Sequence, residues 1–143
     1  MSTTTTNQSS KVYYTAHTHT TGGREGASKS SDGNLEVKLS LPGSNKPGTN
    51  PEQLFAAGWS ACFEGAMGKA AQKLKVTLPT DLFIDAEIDL VLDNGEFSLA
   101  ARMNIGLPGL DREVAAQVIE MAHNICPYSK AIKGNVPVAF NLV

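Results

Sequence analysis

The chain is 143 residues long, enough for one domain whose hydrophobic core needs no disulfide staples. A hydrophobic share of 41%, a charged share of 18% and a net charge of −2 are ordinary for a globular protein, and the scattered Lys and Arg offer no footprint for nucleic acid. No apolar run approaches the ~18 residues of a bilayer span, and "MSTTTTNQSS" has neither the positive start nor the apolar stretch of a secretory leader.

Residues 1–10 therefore read as a flexible polar tail, residues 11–143 as a single domain, and the protein as cytoplasmic. "KVYYTAHTHT" (Lys11–Thr20), rich in β-branched and aromatic residues, predicts a strand. "TGGREG" supplies turn glycines, Leu35–Leu41 resumes an alternating strand, and "PGSNKPGTN" (Pro42–Asn50) is a loop. A helix follows, with Thr49 or Asn50 as cap, Pro51 in the first turn and Glu52 at the positive end of the dipole. Its Ala-rich body carries Leu54, Phe55, Ala61, Cys62 and Met67, while Gly58, Gly65 and Gly68 lower helicity and permit close approach of another helix.

The clearest periodicity lies in "LFIDAEIDLVLDNGEFSLAARMNI". Ile84, Ala86, Ile88, Leu90 and Leu92 alternate with acids, Asn94-Gly95 turns the chain, and Phe97 to Ile105 repeat the alternation. Asp111 is placed to cap a second helix bearing Val114, Val118, Met121 and Ile125, which Cys126-Pro127 interrupts. A short helical turn and a last strand, "NVPVAFNLV", complete an α+β order, with antiparallel sheets packed around two central helices.

Only two cysteines are present, Cys62 and Cys126. In a reducing compartment, thiols are either inert core residues or working ones, and count alone favours the inert reading. Pro127 as the first residue of a short helix would place Cys126 at its cap, where unpaired N–H groups favour a thiolate. Cys62 is mid-helix, so activating it needs a cation from elsewhere. Arg24, in the glycine-flanked turn, is the best candidate, although a turn arginine taken alone is more often merely solvated. Glu52, taken alone, is a first-turn acid. On a continuous helix, Glu52 and Cys62 stand roughly 15 Å apart along the axis. Either the helix starts after Glu52, or Glu52 meets a Cys62 of a second subunit at a dimer interface. Phe55, Trp59, Phe63 and Met67, around Cys62, either line an apolar substrate channel or fill the core. His17, His19 and His123 lack metal-site spacing, so no metal is expected; His123 reads as a packing or hydrogen-bonding neighbour of Cys126.

"TGGREG", "GTNPEQLFAAGWSACF" and "AHNICPYSKAIKGN", in this order, resemble the organic hydroperoxide resistance (Ohr) branch of the OsmC/Ohr superfamily over nearly the whole chain after the tail. Departures are small: Glu25 where aspartate is usual, and "FEGAM" after Cys62. The resemblance implies an intertwined α+β homodimer with sites at the subunit interface. It implies a peroxiredoxin-like, thiol-dependent peroxidase acting on organic and fatty-acid hydroperoxides and peroxynitrite, with no bound cofactor. By motif position, Cys62 would be the peroxidatic cysteine, Cys126 the resolving one, and Arg24 and Glu52 the activating pair. A lipoylated protein carrying a dihydrolipoyl dithiol would be the electron donor. Two alternatives stand beside this: a non-catalytic domain that binds an apolar ligand and has inert cysteines, and a peroxidase of the OsmC branch.

Overall fold

The computed structural model describes residues 9–143; the expected polar tail lies outside the described residues up to residue 8. Two compact units make up the chain, Met1–Asn50 and Pro51–Val143.

In the first unit, strands β1 (Thr18–Thr21), β2 (Ala27–Ser30) and β3 (Glu36–Lys38) form an antiparallel sheet in that order. β1 is shorter than the strand expected over Lys11–Thr20. β2 offers only four residues to pair with, and one further bond, from the Ser31 N–H to the His17 carbonyl, extends the ladder. Val12, Tyr13 and Tyr14 precede the sheet and are exposed. Between β1 and β2 the chain makes a 3-10 turn, Gly23–Glu25, entered through Gly22 at φ 77°. Gly26 leaves it where a Cβ would lie 1.8 Å from the Thr21 carbonyl oxygen, so only glycine fits. Arg24 is carried on this turn and is exposed. The loop before Asn50 is held by an isolated bridge between Leu39 and Thr49.

The second unit opens with α1 (Pro51–Leu74), a single unbroken helix. It ends where Lys75 takes a left-handed φ of 57°, and the Val76 and Lys75 N–H groups close back on Ala71 and Gln72 carbonyls. That is the double-bonded helix stop usually built on glycine. Strands β4 (Phe83–Asp93) and β5 (Glu96–Gly106) form the long hairpin that the alternation predicts. Asn94 and Gly95 both have positive φ, as a two-residue hairpin turn requires. Helix α2 (Arg112–Ile125) begins at Asp111, whose carboxylate accepts the Glu113 N–H. Cys126 ends α2 and caps α3 (Pro127–Ile132), and β6 (Val138–Leu142) closes the chain.

β6 pairs with β5 in parallel, so this sheet is mixed where an antiparallel one was expected. The two helices between β5 and β6 make this possible, because a parallel neighbour needs a long crossover connection. The core sits between α1, α2 and the sheet: Trp59, Phe63, Met67, Met103, Ile105, Val118 and Cys126 have no appreciable exposure. On β4 the acids Asp85 and Glu87 face outward, and Arg102 of β5 forks onto Asp89 while also bonding Glu87. Towards the hairpin tip the apolar face runs past the core: Leu92 is 62% exposed and Phe97 66%. Among the described residues, no helix is long and apolar enough to cross a membrane.

Candidate active site

The chain's two cysteines, 64 positions apart, meet. Cys126 Sγ lies 3.3 Å from Cys62 Sγ and donates towards it, and both thiols are free. A disulfide bond is about 2.05 Å long, so the pair needs to close by little more than an ångström to bond. Helix α1 presents Cys62 from its middle; the extended residue between α2 and α3, at φ −61° and ψ 121°, presents Cys126.

Local sequence explains how the second sulfur is held. Proline at position 127 ends α2 and starts α3, fixing Cys126 in the extended region that residues before proline favour. Ser129, one turn further, accepts a 3.1 Å hydrogen bond from Trp59 Nε1, with both side chains fully buried. This bond fastens α3 to α1 one helical turn from Cys62. Tyr128 packs on the same helix. Its hydroxyl would lie only 3.1 Å from a Cβ at Gly58, and its ring stands edge-on to Phe55 at 6.2 Å. The close-approach glycine in the site's helix therefore admits a tyrosine of the same chain. Gly65 and Gly68 meet nothing within 4 Å at the Cβ position.

The cap works differently from the expectation. Cys126 makes no side-chain cap bond; instead the Tyr128 backbone N–H donates to the Cys62 sulfur. Burial pushes the Cys62 thiol above its ordinary range, the Tyr128 N–H draws it down, and the bond from Cys126 and its proximity push it up again; the balance is upward.

Of the sequence-derived site residues, Cys62 and Cys126 share this place. Arg24 belongs to the first unit. Glu52 is half-buried in the first turn of α1, and the helix is continuous from Pro51, which removes the alternative of a later helix start. Glu52 and Cys62 of one chain are thus separated by roughly 15 Å of helix. Trp59, Phe63 and Met67 are wholly buried, whereas Phe55 is half-buried beside Trp59 and Tyr128. His123 packs edge-on against Phe140 with its Nδ1 buried and unpartnered among the described residues, which decides for packing over a bond to Cys126. Among the described residues, no group of three or more His, Cys, Asp or Glu side chains gathers to hold a metal. Gly58 is one of the glycines expected to admit another helix, and α3 approaches there, whereas Gly65 and Gly68 receive none among the described residues; sequence reasoning missed Tyr128 and Ser129. A buried indole must find an acceptor, which was a signal for Trp59, but nothing in the sequence pointed to Ser129 as that acceptor.

The family model described as OsmC-like protein matches residues 42–141, which include the long helix, both thiols and most of the mixed sheet. The chain is 45% identical over 136 residues to the organic hydroperoxide resistance protein of Xanthomonas axonopodis pv. citri, covering 92% of this chain and 96% of that one. It is 39% identical over 134 residues to organic hydroperoxide resistance protein OhrB of Bacillus subtilis, covering 90% and 97%. The crystal structure of OhrB superposes with a TM-score of 0.86 at 38% identity, over 92% of this chain and all of that one. The chain belongs to the OsmC-like family, in its organic hydroperoxide resistance branch.

Proposed function

We propose that this protein is a thiol-dependent peroxidase that reduces organic hydroperoxides to alcohols. The observation that carries the proposal is the approach of two free thiols to 3.3 Å in a chain of this family. The relatives named for organic hydroperoxide resistance support the substrate class.

In the proposed cycle, Cys62 thiolate attacks the outer peroxide oxygen. The O–O bond breaks, the alkoxide leaves and takes a proton to become the alcohol, and Cys62 becomes a sulfenic acid. The Cys126 thiol then attacks the sulfenic sulfur; an S–S bond forms and water leaves. A dihydrolipoyl dithiol on a lipoylated protein supplies two electrons, reopening the disulfide and becoming a cyclic disulfide itself. No cofactor is bound in this scheme.

Thiolate formation has to overcome the upward push that burial gives Cys62. We assign this task to Arg24, held in position by Glu52. Since Glu52 is roughly 15 Å along the helix from the Cys62 of its own chain, the pair is proposed to act on the Cys62 of a second copy, in a cytoplasmic homodimer. Phe55 and Tyr128 are proposed to form the apolar wall beside the thiol, with Trp59, Phe63 and Met67 behind it; a buried alkyl tail gains ~25 cal/mol per Å².

The test is peroxide consumption with a dihydrolipoyl donor. Cys62→Ser is expected to abolish turnover. Cys126→Ser is expected to allow one turnover and then leave Cys62 as sulfinic acid, visible by mass. Normal turnover by Cys62→Ser would remove the nucleophile, and normal cycling by Cys126→Ser without overoxidation would remove the resolving role.

A further inference from the structure

The two sulfurs differ in how solvent can reach them. Cys126 has no exposed surface and belongs to the core, together with Trp59, Ala122 and Ile132. Cys62 is only half-buried, next to exposed Ala61. The cover over Cys126 comes from its own chain, so adding a second copy cannot open it.

Exchange at a disulfide requires a thiolate to reach one of the two sulfurs from the side away from the bond, and access decides which sulfur is attacked. Any approach to Cys126 runs through packed side chains of its own chain, whereas Cys62 is only half-buried by its own chain and must stay reachable for the hydroperoxide in the proposed cycle. From this we infer that the Cys62–Cys126 disulfide is opened at Cys62 alone. The inference rests on the peroxidase reading for its place in the cycle, though not for its chemistry. A donor thiol loses its proton and bonds through sulfur to Cys62 Sγ. The Cys62–Cys126 bond breaks, and Cys126 departs with the electron pair and takes up a proton.

The released Cys126 thiol stays beside Cys62, where the reduced pair sits at 3.3 Å, and the donor's second thiol, where it has one, attacks the donor sulfur in the mixed disulfide, forms a cyclic disulfide and frees Cys62 as thiolate. Cys62 is accordingly the site at which this protein accepts a thiol from solution, and a reductant needs no contact with Cys126.

The full-length protein, oxidised with diamide so that no peroxide turnover is involved, is treated with β-mercaptoethanol, quenched in acid, blocked with N-ethylmaleimide and mapped by peptide mass. Mixed disulfide caught by quenching within the first seconds, before the released Cys126 thiol expels the donor, is expected to carry mercaptoethanol on Cys62 and maleimide on Cys126, with the reverse pattern below about one tenth of it. Equal amounts, or mercaptoethanol mainly on Cys126, would overturn the inference. A second measurement reacts Cys62→Ser and Cys126→Ser proteins with dipyridyl disulfide. The remaining Cys126 should react about 100-fold more slowly than the remaining Cys62, because it must await local opening, and the gap should vanish in guanidinium. Equal native rates would also overturn it. Hydroperoxide consumption is assayed on the same preparation: its absence, with Cys62-directed exchange intact, sinks the peroxidase reading and leaves the inference standing.

Discussion

At the scale of single residues, the bond from Trp59 to Ser129 sets how firmly the two thiols are held together. Both partners are fully buried, so Ser129→Ala leaves an indole N–H without an acceptor. Such a loss costs about 1–3 kcal/mol. We expect Ser129→Ala to lower the unfolding free energy by that amount, read as a lower urea midpoint at unchanged slope, and to slow disulfide closure, read by loss of free thiol after one equivalent of peroxide. His123 gives a pH dependence. Burial, with Lys133 adding to it, lowers its titration below the ordinary histidine range. The folded state therefore prefers the neutral ring, while the unfolded chain protonates it at an ordinary pKa of about 6.5. Stability from this residue is present above that pH and is lost as pH falls towards the lower folded value. Denaturant midpoints should decline with acidification through that window, and His123→Phe should flatten this part of the profile.

At the scale of elements, helix α1 ends on an unfavourable residue. Lys75 holds the left-handed conformation that glycine adopts without steric cost, and its φ is 57°. Lys75→Gly should stabilise the protein by up to about 1 kcal/mol, measured as a shift in the denaturation midpoint at unchanged slope. Elements also show what can be read from a sequence. The β4–β5 hairpin was legible down to its turn, because period-two alternation flanks Asn94-Gly95, residues that accept positive φ. Asp111 as cap and Cys126 as break were legible for similar local reasons. The length of β1 and the parallel pairing of β6 were not, since both depend on which partner strand is within reach, and no local pattern records that. The pairing of Cys62 with Cys126 came from resemblance to a family rather than from any spacing. The Tyr128 N–H at the Cys62 sulfur and the ring over Gly58 arise from the docking of α3 on α1, which becomes visible only in three dimensions.

At the scale of the whole molecule, the second unit leaves apolar surface open. Leu92 and Phe97 face each other across the hairpin tip and are largely exposed, while Gly65 and Gly68 meet nothing. Open apolar patches on small proteins mark surfaces that pair. The proposed homodimer gives them a partner. Leu92→Lys combined with Phe97→Lys should leave the fold of the single chain intact, because neither side chain is in the core, and should shift sedimentation from two chains towards one. Peroxide turnover should fall in parallel if the Arg24–Glu52 pair acts across the interface. A dimer that survives both charges would place the contact elsewhere.

The meeting of Cys62 with Cys126 across the whole of β4, β5 and α2 has a topological outcome. Once bonded, residues 62–126 become a covalent ring that contains the hairpin and most of the core. A protease that nicks the stretch between α1 and β4 would release two pieces from the reduced protein, yet the oxidised protein would remain one covalent body. Gel mobility after such a nick, with and without reductant, would therefore report the redox state of the site without any substrate.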